Sequence, residues 1–335
     1  MQKGDKTMFG KRVDGTKVKI EDPLMRIVPH IMDKRNDAQN MYLIEERAEV
    51  LDEFIQKQRE QNNVSYNYMH ILYAILVRVL KERPRLNRFI MDGVTYQRDF
   101  ITLSMSVKKA LKDSAEETTM KVPFKGNENI FEVKQIVDSY IKEAQKIEET
   151  SKGVDAAMAF FNSLPNWLIK FLVAVVKWAD RKGMMPAWFI GKYGFSPFHT
   201  SAFITNLKSI RLNYLYHHLY NFGTTGIFIS LGKENYEPVV NEETNEIEVG
   251  KVLKMGFVSD ERFVDGLYYS NTLKLVRKYL NNPELLLENP NEWTPTKNEL
   301  KQDKAYLKQQ EKLRKKQQKK ELKLSKKQAK LEKKK

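Results

Sequence analysis

Lys254-Met-Gly-Phe-Val-Ser-Asp-Glu-Arg-Phe-Val-Asp-Gly266 begins as a strand and ends in a turn. Leu253, Met255 and Phe257 sit at every second position of a run from Ile247 to Val258, the two-residue period of a strand. Asp265-Gly266 supplies turn chemistry. Leu267 to Leu280 then carries the apolar spacing of a helix, and Pro283 follows as a stop. Strand, tight turn and helix in direct succession imply a chain that mixes both element types in one domain.

The same alternation of elements continues outward. Upstream, Asn241 to Asn245 predicts a hairpin turn, and Gly226 to Leu231 and Ala202 to Leu207 predict short strands. Ile101, Leu103, Met105 and Val107 alternate with Thr102, Ser104, Ser106 and Lys108. Met120, Val122 and Phe124 alternate again, with Pro123 pointing to a sheet edge. Helical spacing covers Glu49 to Gln61, Tyr68 to Glu82 and Phe131 to Ile147. The most apolar stretch, Leu164 to Ala179, is too short to span a bilayer and carries Lys170 and Lys177. It reads as a buried or lid helix, with a membrane-interface helix as the alternative. The fold class expected is α/β, a two-layer sandwich with a mixed β-sheet. No Gly-rich loop follows a strand, which argues against a nucleotide-binding fold of the Rossmann or P-loop kind.

Charge is unevenly placed. The 335 residues carry a formal net charge of +15, of which +12 lies between Lys301 and Lys335. The remainder is close to neutral, so basicity marks a tail rather than a body-wide nucleic-acid footprint. Leu307, Leu313, Leu322, Leu324 and Leu331 hold no heptad, and the tail reads as partly helical or disordered. Its charge alone implies non-specific attraction to RNA or an anionic membrane surface. The chain has no cysteine, which rules out thiol catalysis and Cys-ligated metal. The N-terminus has no secretory h-region, and the expected location is cytoplasmic. Expected boundaries are an arm over residues 1–21, a main domain over 22–290 with a helical insertion at about 146–198, and a Lys-rich tail over 296–335.

Residues 254–266, with the strand before them and the helix and Asn282-Pro283-Glu-Leu-Leu286 after them, resemble the C-terminal signature of the catalytic domains of 2-oxo-acid dehydrogenase E2 acyltransferases. There a strand leads to Asp-His-Arg-x-x-Asp-Gly; chloramphenicol acetyltransferases carry the related His-His-x-x-x-Asp-Gly. Arg26-Ile-Val-Pro-His-Ile-Met32 resembles the opening helix of that domain, Pro84-Arg-Leu-Asn87 its Pro-x-Leu-Asn, and Phe203-Ile-Thr-Asn-Leu207 its Thr-x-Ser-Asn-Leu. The resemblance spans roughly Asp22 to Glu288 and is weak from Lys146 to Phe198. It implies a chloramphenicol-acetyltransferase-like fold, coenzyme A or acyl-CoA as substrate, no metal, and a homotrimer with its site between subunits. The acyl acceptor is not specified. With no lipoyl or subunit-binding domain in the sequence, the expectation is a stand-alone catalytic-domain homologue.

In such enzymes the histidine of the motif is the base, a hydroxyl of the Ser-Asn stretch stabilises the oxyanion, and the Asp holds the loop. By position the resemblance gives Thr205 as the hydroxyl donor and Asp265 as the loop residue. Glu261 stands where the histidine is expected. Histidine titrates near ~6.5 and glutamate near ~4.3, so an ordinary carboxylate is a weak base toward a thiol or alcohol at neutral pH. Burial can raise a carboxyl by several units, and Arg262 would oppose that if it faced Glu261. Two readings stay open: a retuned base, or a non-catalytic homologue acting as a trimeric binding or assembly protein. Among the other histidines, His199 is a candidate for lining the Thr205 pocket, and His217-His218 for lying near the core. His30 and His70 read as packed residues on apolar helices.

Overall fold

A computed structural model of the chain describes residues 12–108, 117–146, 164–241, 244–290 and 294–332. In chain order, β1 (Gly15–Lys17) and α1 (Pro23–Ile31) lead to β2 (Gln39–Arg47), α2 (Glu49–Asn62) and α3 (Tyr68–Glu82). The hairpin β3 (Arg88–Met91) and β4 (Val94–Arg98) turns at Asp92-Gly93, both with positive φ. Then come β5 (Ile101–Lys108), β6 (Glu117–Phe124), α4 (Ile130–Lys146), α5 (Asn166–Arg181) and the short α6 (Ala187–Ile190). The strands β7 (Ala202–Asn206), β8 (Ile227–Leu231), β9 (Asn235–Val240) and β10 (Ile247–Asp260) precede α7 (Gly266–Asn281) and α8 (Lys297–Glu332). Residues through Thr294 form one unit, and Pro295–Lys335 a second.

The main sheet runs β2-β10-β8-β7-β5-β6, with β9 also paired to β10. β5, β7 and β8 are parallel neighbours, and the other pairs are antiparallel. The sheet is therefore mixed, as the sequence predicts, and Pro123 lies on the edge strand β6. β1, β4 and β3 form a second, small sheet.

One face of the main sheet carries Leu103, Ile204, Ile229, Met255 and Phe257 into a core shared with α2, α3, α4 and α7. α3 is buried over thirteen of its fifteen residues, which accounts for its nearly continuous apolar sequence. Phe203, Phe228 and Val258 point the other way, two-residue alternation at work, and pack with Leu219 and Tyr220. Gly256 faces this second side. A Cβ there would lie 2.3 Å from the Leu215 carbonyl oxygen, so glycine is what lets the irregular segment 211–222 cross the sheet. Ser230 fixes that segment, donating to Leu215 O at 2.5 Å and accepting from Leu215 N at 3.1 Å.

Two expectations fail, and one strand goes unpredicted. α5 is exposed along most of its length rather than buried: of its residues, Asp180 alone is fully enclosed. His30 is exposed, because the apolar face of α1 (Leu24, Ile27 and Ile31) is itself turned to solvent. β2 is a strand that sequence periodicity does not predict. The tail is helical along Lys297–Glu332. No described helix is long and apolar enough to cross a membrane.

Candidate functional site

β10 ends at Asp260, which is fully buried. Arg262, two residues on across a single helical turn, returns to it as a fork: Nε donates to Oδ1 at 2.8 Å and Nη2 to Oδ2 at 2.7 Å. Such two-point pairing is the strong form of a charge-assisted bond. Arg262 Nη1 also donates to the Met32 carbonyl at 3.0 Å, at the end of α1. Arg35 brings a second guanidinium within 3.6 Å of Asp260 and donates to Tyr220 O at 2.6 Å and Gly223 O at 3.0 Å. Burial pushes the Arg35 guanidinium down to about 10, although Asp260 acts in the opposite direction.

Glu261 sits between the two ends of this clamp. Its N–H donates to Ala38 O at 3.0 Å. Its side chain is half-buried, and its carboxylate has no hydrogen bond or ion pair among the described residues. The arginine that follows it faces Asp260 instead.

Asp265 is exposed and caps α7, accepting from Tyr268 N at 2.8 Å, and its other oxygen lies 3.6 Å from Arg85 Nη1. An open cleft of about 280 Å³ adjoins this turn, lined by Lys19, Arg85, Arg88, Arg262, Phe263 and Asp265 among others. Arg88 is half-buried there, and its pKa is lowered first by burial and then by the like charge of Arg85. Both causes disfavour the cation, so an anion in the cleft would relieve it.

Thr205 lies on β7, half-buried, on the face away from the helical core. Across the sheet it pairs with Ser230, and Ser230 with Gly256. Glu261 is five residues beyond Gly256, just past the end of β10, or ~16 Å at the usual strand rise of ~3.3 Å per residue. One chain does not bring Thr205 and Glu261 together.

His199 does not line an open pocket with Thr205. It is fully buried, with Nδ1 2.7 Å from Ser196 Oγ and Nε2 3.1 Å from Asp180 Oδ2. Asp180 in turn accepts from Arg12 Nη2 at 3.0 Å, and Arg12 forks onto the buried Asp14. Burial lowers the His199 pKa, outweighing the opposing pull of Asp180. Burial alone would raise Asp14, but Arg12 draws it down to about 2. The imidazole is therefore neutral, donating from Nε2 to Asp180 and accepting the Ser196 hydroxyl proton at Nδ1. Despite its Ser-His-Asp composition this chain of groups is closed to solvent and bound to a cation. It anchors α5 to the body.

His217 stacks on Phe228 with ring centroids 3.9 Å apart, while His218 is exposed. His70 closes a capping box with Asn67 and reaches Asp138 at 3.0 Å. Sequence reasoning misses Arg35, Arg88 and the Arg12–Asp14–Asp180 chain. The Asp-x-Arg spacing of 260 and 262 is the one signal that could have placed the clamp. Among the described residues no cluster of three His, Asp or Glu side chains could hold a metal ion.

Comparisons with known proteins bear on the fold and on this turn. Residues 220–288 match the family described as 2-oxoacid dehydrogenases acyltransferase (catalytic domain), a span that contains the clamp and α7. No curated protein matches the chain in sequence. Among solved structures, the dihydrolipoamide acetyltransferase of Azotobacter vinelandii is similar, with 13% identity, 80% of this chain and 94% of that chain covered, and a TM-score of 0.50. A probable dihydrolipoamide acetyltransferase from Listeria monocytogenes covers 84% of this chain and 99% of its own at 13% identity, with a TM-score of 0.46. A chloramphenicol acetyltransferase covers 79% and 99% at 15% identity and a TM-score of 0.42. At these identities the likeness is one of fold. The chain is a mixed α/β protein that shares the fold of the Azotobacter vinelandii acetyltransferase, and residues 220–288 match the acyltransferase catalytic-domain family.

Proposed function

We propose that the protein transfers an acyl group between coenzyme A and a second acceptor, with Glu261 as the base. The observation that carries this reading is the clamp. Arg262 is committed to Asp260, so Glu261 is held on a fixed turn with its carboxylate unclaimed by a cation. A structural ion pair at that position would have left no base.

The acceptor's X–H proton goes to Glu261 as X attacks the thioester carbonyl. The C–X bond forms, the oxyanion takes a hydrogen bond from the Thr205 hydroxyl, the C–S bond breaks, and the proton passes to the departing thiolate. General-base help of this kind is worth ~10²–10⁴ in rate, and one oxyanion donor ~10²–10³. Because Thr205 and Glu261 stand far apart in one chain, the reading requires Glu261 of one copy to meet Thr205 of another, as in a homotrimer. Glu21, Asp22 and Asp265 also line the cleft, and Lys19 and Arg85 lie beside two of them, so Arg88 is the cation offered to a phosphate of coenzyme A.

The test is turnover of a panel of acyl-CoA thioesters by the purified protein. Glu261→Gln is expected to lose about 10²-fold or more, Thr205→Ala a comparable factor, and Thr205→Ser little. Unchanged turnover in both Glu261→Gln and Thr205→Ala overturns this site. If no thioester is turned over and coenzyme A leaves the melting temperature unmoved, the chain is instead a non-catalytic binding or assembly protein of the same fold.

A further inference from the structure

Like the shorter α1, α5 turns an apolar face to solvent, but over sixteen residues and with aromatic side chains. Trp167, Phe171, Val175 and Trp178 follow each other at spacings of four, four and three residues, one face of a helix. They are 68%, 59%, 43% and 48% exposed. The two tryptophans stand eleven residues apart, ~16 Å along the axis. Soluble proteins seldom leave so continuous an apolar stripe open to water.

The orientation is imposed by the fold. Asp180 follows Trp178 by two residues, ~200° around the helix, and is drawn inward to Arg12 and His199. That buried anchor turns the tryptophan stripe outward. It also removes the one acid of α5 from the surface, leaving Lys170, Lys177 and Arg181 as its exposed charges. On a helical wheel these three cluster along one margin of the stripe.

We infer that α5 is a membrane-interface helix that lies flat on an anionic lipid bilayer. An apolar face with aromatic residues at both ends, bordered by cations, is the chemistry that seats a helix at the headgroup boundary. Sixteen residues interrupted by two lysines cannot span the hydrocarbon. A second copy packed antiparallel on the same stripe would set three cations against three more, which disfavours that occupant.

The full chain is mixed with vesicles of phosphatidylcholine alone or with phosphatidylglycerol, each also prepared with brominated acyl chains. The protein is expected to sediment with the anionic vesicles, and bromine is expected to quench its tryptophan fluorescence. Phe171→Glu/Val175→Glu alters two exposed positions, so circular dichroism is expected to match the wild type while binding drops about tenfold or more. Lys170→Gln/Lys177→Gln is expected to weaken binding on the order of fivefold per charge. Sedimentation without quenching overturns the inference, because surface charge alone would then hold the protein. Equal binding by the Phe171→Glu/Val175→Glu variant also overturns it. So does an oligomer that this variant splits while the wild type ignores vesicles, which would make the stripe a contact between copies.

Discussion

Asp260 and Arg262 illustrate how a short sequence spacing becomes a rigid site. Their fork is buried on both sides, and removing one partner of a buried pair strands the other charge. Arg262→Leu is expected to lower stability by about 3–5 kcal/mol in urea unfolding. The Ser196–His199–Asp180 chain makes a second, pH-dependent contribution. The His199 pKa is lowered in the folded state, so the unfolded chain binds the proton more readily. Stability from this group is then complete above the unfolded value of ~6.5 and declines as pH falls toward the folded value. Asp14 is also lowered, to about 2, and its contribution fades only below its ordinary range of ~3.9. His199→Gln is expected to flatten the drop in urea midpoint between about pH 7 and pH 5. A midpoint that falls as steeply in the variant would assign that drop to other groups.

At the scale of elements, α3 is stabilised before it packs. Asn67 Oδ1 accepts from His70 N at 3.0 Å, and the His70 ring accepts from Asn67 N at 3.2 Å. Asn67→Ala is expected to cost about 1 kcal/mol, seen as a lower urea midpoint with unchanged slope. α3 was legible in the sequence because its period and its burial agree. The alternation of β5 was legible for the same reason. β2 was not, because as an edge strand it leaves Met41 and Tyr42 exposed, and its in-out pattern does not match hydrophobicity. The exposure of α5 is not legible, because composition reports how apolar a helix is and not what covers it. Its anchor depends on Arg12, 168 residues distant from Asp180, a separation that no local pattern encodes. The frame around Glu261 was readable from the motif, while the direction in which Arg262 faces needed coordinates.

For the whole molecule, charge is the property that separates the two units. α8 is a 36-residue helix with most of its described side chains in water, about 54 Å long at the standard rise. Deleting Lys301 to Lys335 removes a net +12 and is expected to abolish salt-sensitive retention on heparin. Retention that survives the deletion would place the polyanion contact on the body. The course of the chain through the sheet has a consequence for synthesis. β2 is paired along its length to β10, Gln39 with Asp260 and Arg47 with Val252. A nascent chain leaving the ribosome must therefore carry β2, and the apolar α3 behind it, for some two hundred residues before that partner strand emerges. Such delayed long-range pairing is slow and leaves aggregation-prone surface open. Fragments that stop short of β10 are expected to be insoluble, and the growing polypeptide to depend on chaperone shelter until its final quarter is translated.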